Sequence, residues 1–159
     1  IVELEGIAKN SRLEDLVADP NVDMVDISMP PMLHATASVT ASEAVKHVLC
    51  EKVNALSTEH NARKVGAADQ EGKLLMIAHV LPFVPEYNYV YEKSVSGQYG
   101  RLLGGNFTRV ISDPHWISDF FDPDRCGGPM LDLHIHDAHF IRLLWGMPAA
   151  VRSVGRMRG

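Results

Sequence analysis

The sequence predicts an α/β protein built on a parallel sheet, and three observations carry that prediction. Apolar runs of strand length occur at Met24–Ser28, Lys46–Glu51 and Leu74–Ala78. Segments of helical length lie between them, at 34–44 and 57–71. Strands of continuous apolar character alternating with helices imply a parallel sheet covered on both faces. Finally, Ser28 to Pro30, Glu51-Lys52 and His79 all fall at the carboxyl ends of those strands, where ligands sit in open α/β sheets.

Each element has a local reason. Ser11-Arg12-Leu13-Glu14 has the form of a capping box before a short amphipathic turn that ends at Pro20. The strand at Met24 closes on Pro30-Pro31. His34 to about Ala44 is a helix rich in Ala, Ser and Thr, poor in propensity but suited to close packing on a sheet. Ser57 caps the next helix, which stops at Gly72. After Pro82-Phe83-Val84-Pro85 the pattern changes, which places a domain boundary between residues 82 and 83. A helix carrying Tyr87, Tyr89 and Tyr91 runs to Gly97; those tyrosines cannot share one helical face. Leu102–Ile111 reads as a long strand interrupted at Gly104-Gly105, and Asp113–Trp116 as a loop. Pro129 suits a first helical position, and that helix runs to Trp145.

Composition narrows the function classes. A chain of 159 residues, 46% apolar, buries one sizeable core or two small ones. The net charge is −5 and no Lys/Arg stripe forms, which argues against a nucleic-acid partner. Cys50 and Cys126 lack zinc spacing and read as two free thiols in a reducing compartment. No apolar run approaches the roughly 20 residues of a membrane span, so the expectation is a cytoplasmic protein without a membrane partner. The chain opens on Ile1 in the strand-like run Ile1-Val2-Glu3-Leu4 and closes on another at Val151–Arg156. Both ends look cut from sheets, which predicts a fragment.

The densest chemistry lies at Gly127-Gly128-Pro129-Met130-Leu131-Asp132-Leu133-His134-Ile135-His136-Asp137. On one helix, Asp132 and His136 stand at i and i+4 of a single face. A carboxylate holding an imidazole is a proton-transfer device, because His titrates near neutrality and the carboxylate sets its tautomer. The plainer alternative is a helix start with an acidic first turn.

The ordered motifs Asp19-Pro20-Asn21-Val22-Asp23, Pro30 with His34, Lys46 to Lys52, Ile77 to Val80 and the stretch 127–136 together resemble the glucose–fructose oxidoreductase/inositol dehydrogenase (Gfo/Idh/MocA) family. Asp19-Pro20-Asn21-Val22-Asp23 precedes the first strand, and Pro30 with His34 follows it. Lys46-His47-Val48-Leu49-Cys50-Glu51-Lys52 resembles the family's Gly-Lys-His-Val-x-x-Glu-Lys-Pro stretch. Ile77-Ala78-His79-Val80 and a Gly-Gly-x-x-x-Asp-x-x-x-His pattern at 127–136 complete the series.

The resemblance implies residues 1–82 as the C-terminal portion of a Rossmann domain for NAD or NADP. It implies residues 83–159 as the truncated start of an open-sheet α/β substrate and oligomerisation domain, with a small polyhydroxylated substrate held between the two. It also implies a homo-oligomer, and oxidation or reduction of a hydroxyl-bearing carbon on a sugar, a cyclitol or a related molecule. By position, Lys52, Asp132 and His136 match the catalytic residues, and Pro30, His34, Glu51, Lys52 and His79 the cofactor-binding ones. The chemistry suits those residue types. Neutral His136 can take the hydroxyl proton, and Lys52 can stabilise alkoxide charge at the same oxygen. Asp132 either orients the imidazole or binds a substrate hydroxyl. His34 and His79 are each open to a structural reading as well.

Three departures stand out. Val53 replaces the proline of Glu-Lys-Pro, which predicts a trans bond after Lys52. Ala78 stands where the family commonly has glycine. No Gly-x-Gly-x-x-Gly follows a strand, so the chain as it stands is expected to bind NAD weakly or not at all. Two rivals remain. Asp132-Leu133-His134-Ile135-His136 also resembles the metal-binding start of amidohydrolases, if His134 and His136 share one face of a strand. The other rival is a non-catalytic truncated family member.

Overall fold

The structure is a computed structural model that describes residues 7, 9–112 and 122–155. The chain divides into two compact units. One comprises Ile1–Ala78 with Ser112–Asp132, and the other His79–Ile111 with Leu133–Gly159. The run Ile1-Val2-Glu3-Leu4 and the loop at 113–116 lie outside the described residues.

In the first unit, three parallel strands lie in the order β1 (Met24–Ile27), β2 (His47–Cys50), β3 (Leu75–Ile77). Their registers pair Val25 with Val48 and Val48 with Leu75. Helix α2 (His34–Glu43) connects β1 to β2, and α3 (Thr58–Gln70) connects β2 to β3. Because successive parallel crossovers share one hand, α2 and α3 pack against each other over the same face. Val25, Ile27, Val48 and Cys50 point into that layer and meet Ala37 and Ala41 of α2, together with Val17 of α1 (Leu13–Ala18). Small residues on α2 let its backbone approach the sheet.

The expected cover on both faces is not what the described residues form. Met24 and Met76 on the other face are 56% and 61% exposed, and the side chains of β1 alternate between exposed and buried.

Several ends differ from expectation for local reasons. Helix α1 starts at Leu13 with Arg12 as its N-cap, and no side-chain cap forms. Glu14 is instead engaged by the Arg12 guanidinium at 3.3 Å. Ser57 does cap α3, accepting from the His60 amide at 3.1 Å. Val45, between α2 and β2, adopts a φ of 61°, the left-handed region.

The second unit contains α4 (Pro85–Ser96) and α7 (His134–Trp145). Phe140 is its buried centre, with the Tyr87 and Phe107 rings edge-on to it. The strand expected over Leu102–Ile111 is not formed: no described residue supplies a ladder, so the segment stays irregular. It is held instead by side chains. The Trp145 indole donates to the Leu102 carbonyl at 3.3 Å, and the Arg109 guanidinium grips Asp137 with two bonds of 2.8 Å.

Candidate active site

The helix expected from Pro129 to Trp145 is two helices. In the first unit, α5 (Pro123–Cys126) lies against the short 3-10 turn Pro31–Leu33 and is followed by α6 (Gly128–Asp132). Leu133 is a turn residue, and α7 begins at His134. Asp132 therefore ends one helix and His136 lies in the first turn of another, so the single face predicted for them does not exist as a helical i, i+4 pair. Glycine explains the tight entry to α6. Gly127 has φ 80°, and a Cβ there would stand 2.7 Å from Leu131 Cβ.

Lys52 sits just past the carboxyl end of β2, the central strand. Its ammonium donates to Asp132 Oδ1 at 2.6 Å and to the Asp132 carbonyl at 3.0 Å. The second bond satisfies a carbonyl that a helix end leaves without an intrahelical partner. Both side chains are largely buried, with 23% and 13% exposure, so the pair is a charge-assisted contact held mostly out of water. Two of the three predicted catalytic residues thus meet within one unit.

The Lys52–Val53 peptide bond is cis, contrary to the trans bond expected without a proline. Val53 itself is 1% exposed. The Glu51 carboxylate accepts from the Lys52 amide at 3.0 Å, so that side chain braces its own loop.

His34 lies at the start of α2 and is fully buried. Its Nδ1 meets the Val53 carbonyl and its Nε2 the Met29 carbonyl, each at 2.7 Å. Carbonyls only accept, so the ring donates from both nitrogens as an imidazolium. Burial pushes the His34 pKa down, but the neighbouring Cys50 and the two carbonyls outweigh it and leave it raised. Pro30 is exposed and starts the adjoining 3-10 turn, where its carbonyl accepts from the Leu33 amide at 2.9 Å.

In the second unit, His79 stacks on His139 with centroids 4.1 Å apart and planes 7° from parallel. The Nδ1 atoms of both rings are buried without a hydrogen-bond partner among the described residues. Burial, with His139 and His136 nearby, drives the His79 pKa down to about 4. His136 occupies the first turn of α7, and its amide donates to the Leu133 carbonyl at 3.4 Å.

The sequence leaves Arg109 and Lys64 unmarked. Arg109 forms the bidentate pair with Asp137 already described. Lys64 is fully buried in α3, where its ammonium donates to the Asn54 carbonyl at 2.7 Å and to Cys50 Sγ at 3.3 Å. Nothing in the sequence marked it.

The metal-hydrolase alternative required a strand over residues 131–136. Those residues are the end of α6, a turn and the start of α7, so His134 and His136 do not share a strand face. His134 is instead exposed and stands 3.6 Å from Asp137.

A family model described as an oxidoreductase family with an NAD-binding Rossmann fold matches residues 1–79. The chain belongs to the Gfo/Idh/MocA oxidoreductase family. Among members of this family, it is 34% identical over 144 residues to a 1,5-anhydro-D-fructose reductase of Ensifer adhaerens, covering 87% of this chain and 43% of that protein. It is 29% identical over 144 residues to a levoglucosan dehydrogenase of Pseudarthrobacter phenanthrenivorans, covering 87% and 37%. A solved structure of levoglucosan dehydrogenase in complex with NADH and levoglucosan superposes with a TM-score of 0.74 at 26% identity, covering 86% of this chain and 38% of that one. The chain spans about two fifths of the length of the curated relatives it matches. Within the Gfo/Idh/MocA frame, the three-stranded parallel sheet is the Rossmann element, and Lys52 stands at the carboxyl end of its central strand.

Proposed function

We propose that this chain carries part of the cofactor site and part of the chemical site of an NAD(P)-dependent oxidoreductase acting on a hydroxyl-bearing carbon of a sugar-like substrate. The observation that carries the reading is the Lys52–Asp132 contact at the end of β2. An ammonium at the carboxyl edge of a parallel sheet, backed by a carboxylate, suits an alcohol or carbonyl oxygen whose charge changes in the reaction. Relatives named as 1,5-anhydro-D-fructose reductase and levoglucosan dehydrogenase support the substrate class.

The nicotinamide supplies the hydride chemistry when bound. The residues at the rim of the sheet fit the polar part of such a molecule. A cavity of about 620 Å³ beside β1 has Lys9, Asn10, Ser11 and Arg12 at its edge and Asp26 with apolar side chains such as Leu16 and Ile27 along the rest, so it offers hydrogen-bonding groups of both charge signs to a polar ligand such as a ribose. No Gly-x-Gly-x-x-Gly loop is present in these 159 residues to hold the pyrophosphate. The chain accordingly supplies one side of the cofactor site.

In this reading Lys52 holds the reacting oxygen, and Asp132 fixes the ammonium and takes a substrate hydroxyl when it is exchanged. His136, which follows Asp132 closely in sequence, moves the proton. His34 and Glu51 hold the loop rather than touch the cofactor through their polar atoms, and Pro30 and His79 line the strand ends. The substrate is a small polyhydroxylated molecule, and the working enzyme is a homo-oligomer.

Fluorescence titration with NADH and NADPH tests the cofactor claim, in the chain alone and in the longest reading frame that contains it. Turnover of levoglucosan and D-xylose in the longer protein tests the substrate class. Saturable binding by the longer protein, tighter than by the chain alone, is expected. Binding by neither overturns the reading.

A further inference from the structure

We propose that Lys64 is a positioning residue, whose buried ammonium ties the two ends of the Lys52 loop together and so sets where the Lys52 amine stands. It touches neither substrate nor cofactor. Its role rests on the reading of Lys52 as the reactive ammonium.

The geometry is a bracket. Cys50 is the last residue of β2 and Asn54 lies beyond the Lys52–Val53 pair. The single Lys64 Nζ reaches both, at 3.3 Å to Sγ and 2.7 Å to the Asn54 carbonyl. Between those points the Val53 carbonyl is held by His34, which is itself anchored to the Met29 carbonyl beyond β1. The loop therefore hangs from two cationic side chains, each with no exposed surface.

Burying an ammonium is costly unless its hydrogen bonds are satisfied. A methionine of similar length would fill the same volume without that cost. The ammonium is thus explained by what it binds rather than by packing. The Lys64 ammonium stands 3.3 Å from the Cys50 sulfur, and burial raises the Cys50 pKa while His34 and the Lys64 charge outweigh it and leave it lowered. Burial pushes the Lys64 pKa down, and Cys50 opposes the shift.

The consequence is leverage. Lys52 hangs between fixed points and places its ammonium 2.6 Å from Asp132. If the bracket is released, the amine samples more positions while the sheet beneath stays intact.

The test is pulsed acetylation of the purified chain with acetic anhydride, read at each lysine by mass spectrometry, in the wild type, Lys64→Met and Lys64→Gln. Lys52 is expected to react at least about threefold faster in both variants, as its loop opens locally. Lys46 is 9% exposed and tied to the Asp19 carbonyl at 2.9 Å, and its rate should not change. The thermal midpoint of Lys64→Met should hold or rise. Unchanged Lys52 reactivity overturns the proposal, as does equal acceleration at Lys52 and Lys46, which marks general loosening. Should neither variant fold, ¹⁵N-lysine spectra of the wild type decide. An ammonium protected from solvent exchange and coupled across a hydrogen bond to the Asn54 carbonyl supports the bracket, and its absence overturns it. Labelling reports position and turnover reports chemistry, so failure of the oxidoreductase reading is distinguishable from failure of the bracket.

Discussion

Lys52 donates twice to Asp132, once to the carboxylate at 2.6 Å and once to the main-chain carbonyl at 3.0 Å. The two contacts do different work. The carboxylate neutralises the ammonium, whereas the carbonyl fixes its direction of approach. The pair joins a strand end to a helix end 80 residues away along the chain, within one compact unit.

Replacing Lys52 by Met should lower turnover of the longer protein by roughly 10²–10⁴-fold, the range for loss of a positioned acid or an oxyanion donor. NADH affinity should change far less. Asp132→Asn should lower kcat less than Lys52→Met, because the carbonyl still orients the amine. Steady-state kinetics with both variants check this, and full activity in Lys52→Met would remove Lys52 from the chemistry.

The Arg109–Asp137 pair should be a main tie of the irregular segment to α7. Asp137 side-chain exposure is 9%, and hydrogen bonding from Arg109, against the opposing effect of burial, holds its pKa below the usual carboxylate range. Asp137→Asn should cost about 2 kcal/mol, by leaving a half-buried guanidinium short of its counter-charge. The contribution is complete above the unfolded carboxylate pKa and is lost as pH falls through the lower folded value. Urea unfolding at pH 7 and at low pH measures both effects.

The stacked pair His79–His139 predicts acid sensitivity of the second unit. The His79 pKa falls from 6.5 to about 4, and that of His139 is lowered too, chiefly by burial. An unfolded chain binds protons that these folded rings refuse, so stability must fall as pH drops from 6.5 toward 4 and level off below. His79 alone contributes at most about 3 kcal/mol across that window. His79→Phe, which keeps the stack, should flatten the profile in thermal melts. A profile identical to wild type would contradict the burial of that ring.

Val45→Gly should stabilise the chain by about 1 kcal/mol. The residue is 50% exposed and holds φ 61°, where a β-branched side chain is strained and glycine is not. Denaturant midpoints of Val45→Gly and wild type check this, and a loss of stability would show that the valine side chain packs productively.

Gly127→Ala should be costly, by more than about 2 kcal/mol, since a positive φ and a contact 2.7 Å from Leu131 Cβ add together. It should also weaken the Lys52 contact, because α6 carries Asp132. Slower turnover with a lowered melting temperature is the expected combination.

The parallel sheet was legible because its strands announce themselves by continuous apolar runs, with Ser57 and Gly72 marking the limits of α3. The break at Leu133 was not, because periodicity from Met130 to Leu144 runs on through a turn that only the fold imposes. The strand expected at Leu102–Ile111 failed for a related reason: alternating apolar residues specify a face, but a ladder needs a neighbour. Ordered motifs single out Lys52 and Asp132, but their contact could not be read from any local spacing. Lys64 was invisible, since a lysine among Ala, Arg and Gly looks like a solvated helix face.

Strand β2 is gripped along both edges, by β1 and by β3. Adding or deleting one residue between His47 and Cys50 would turn every side chain after it to the opposite side of the pleat. Cys50 would leave the core and Lys52 would point away from its carboxylate. A length change within β2 would therefore break the reach of the Lys52 ammonium to Asp132, whereas one outside the strand leaves the ladder register untouched.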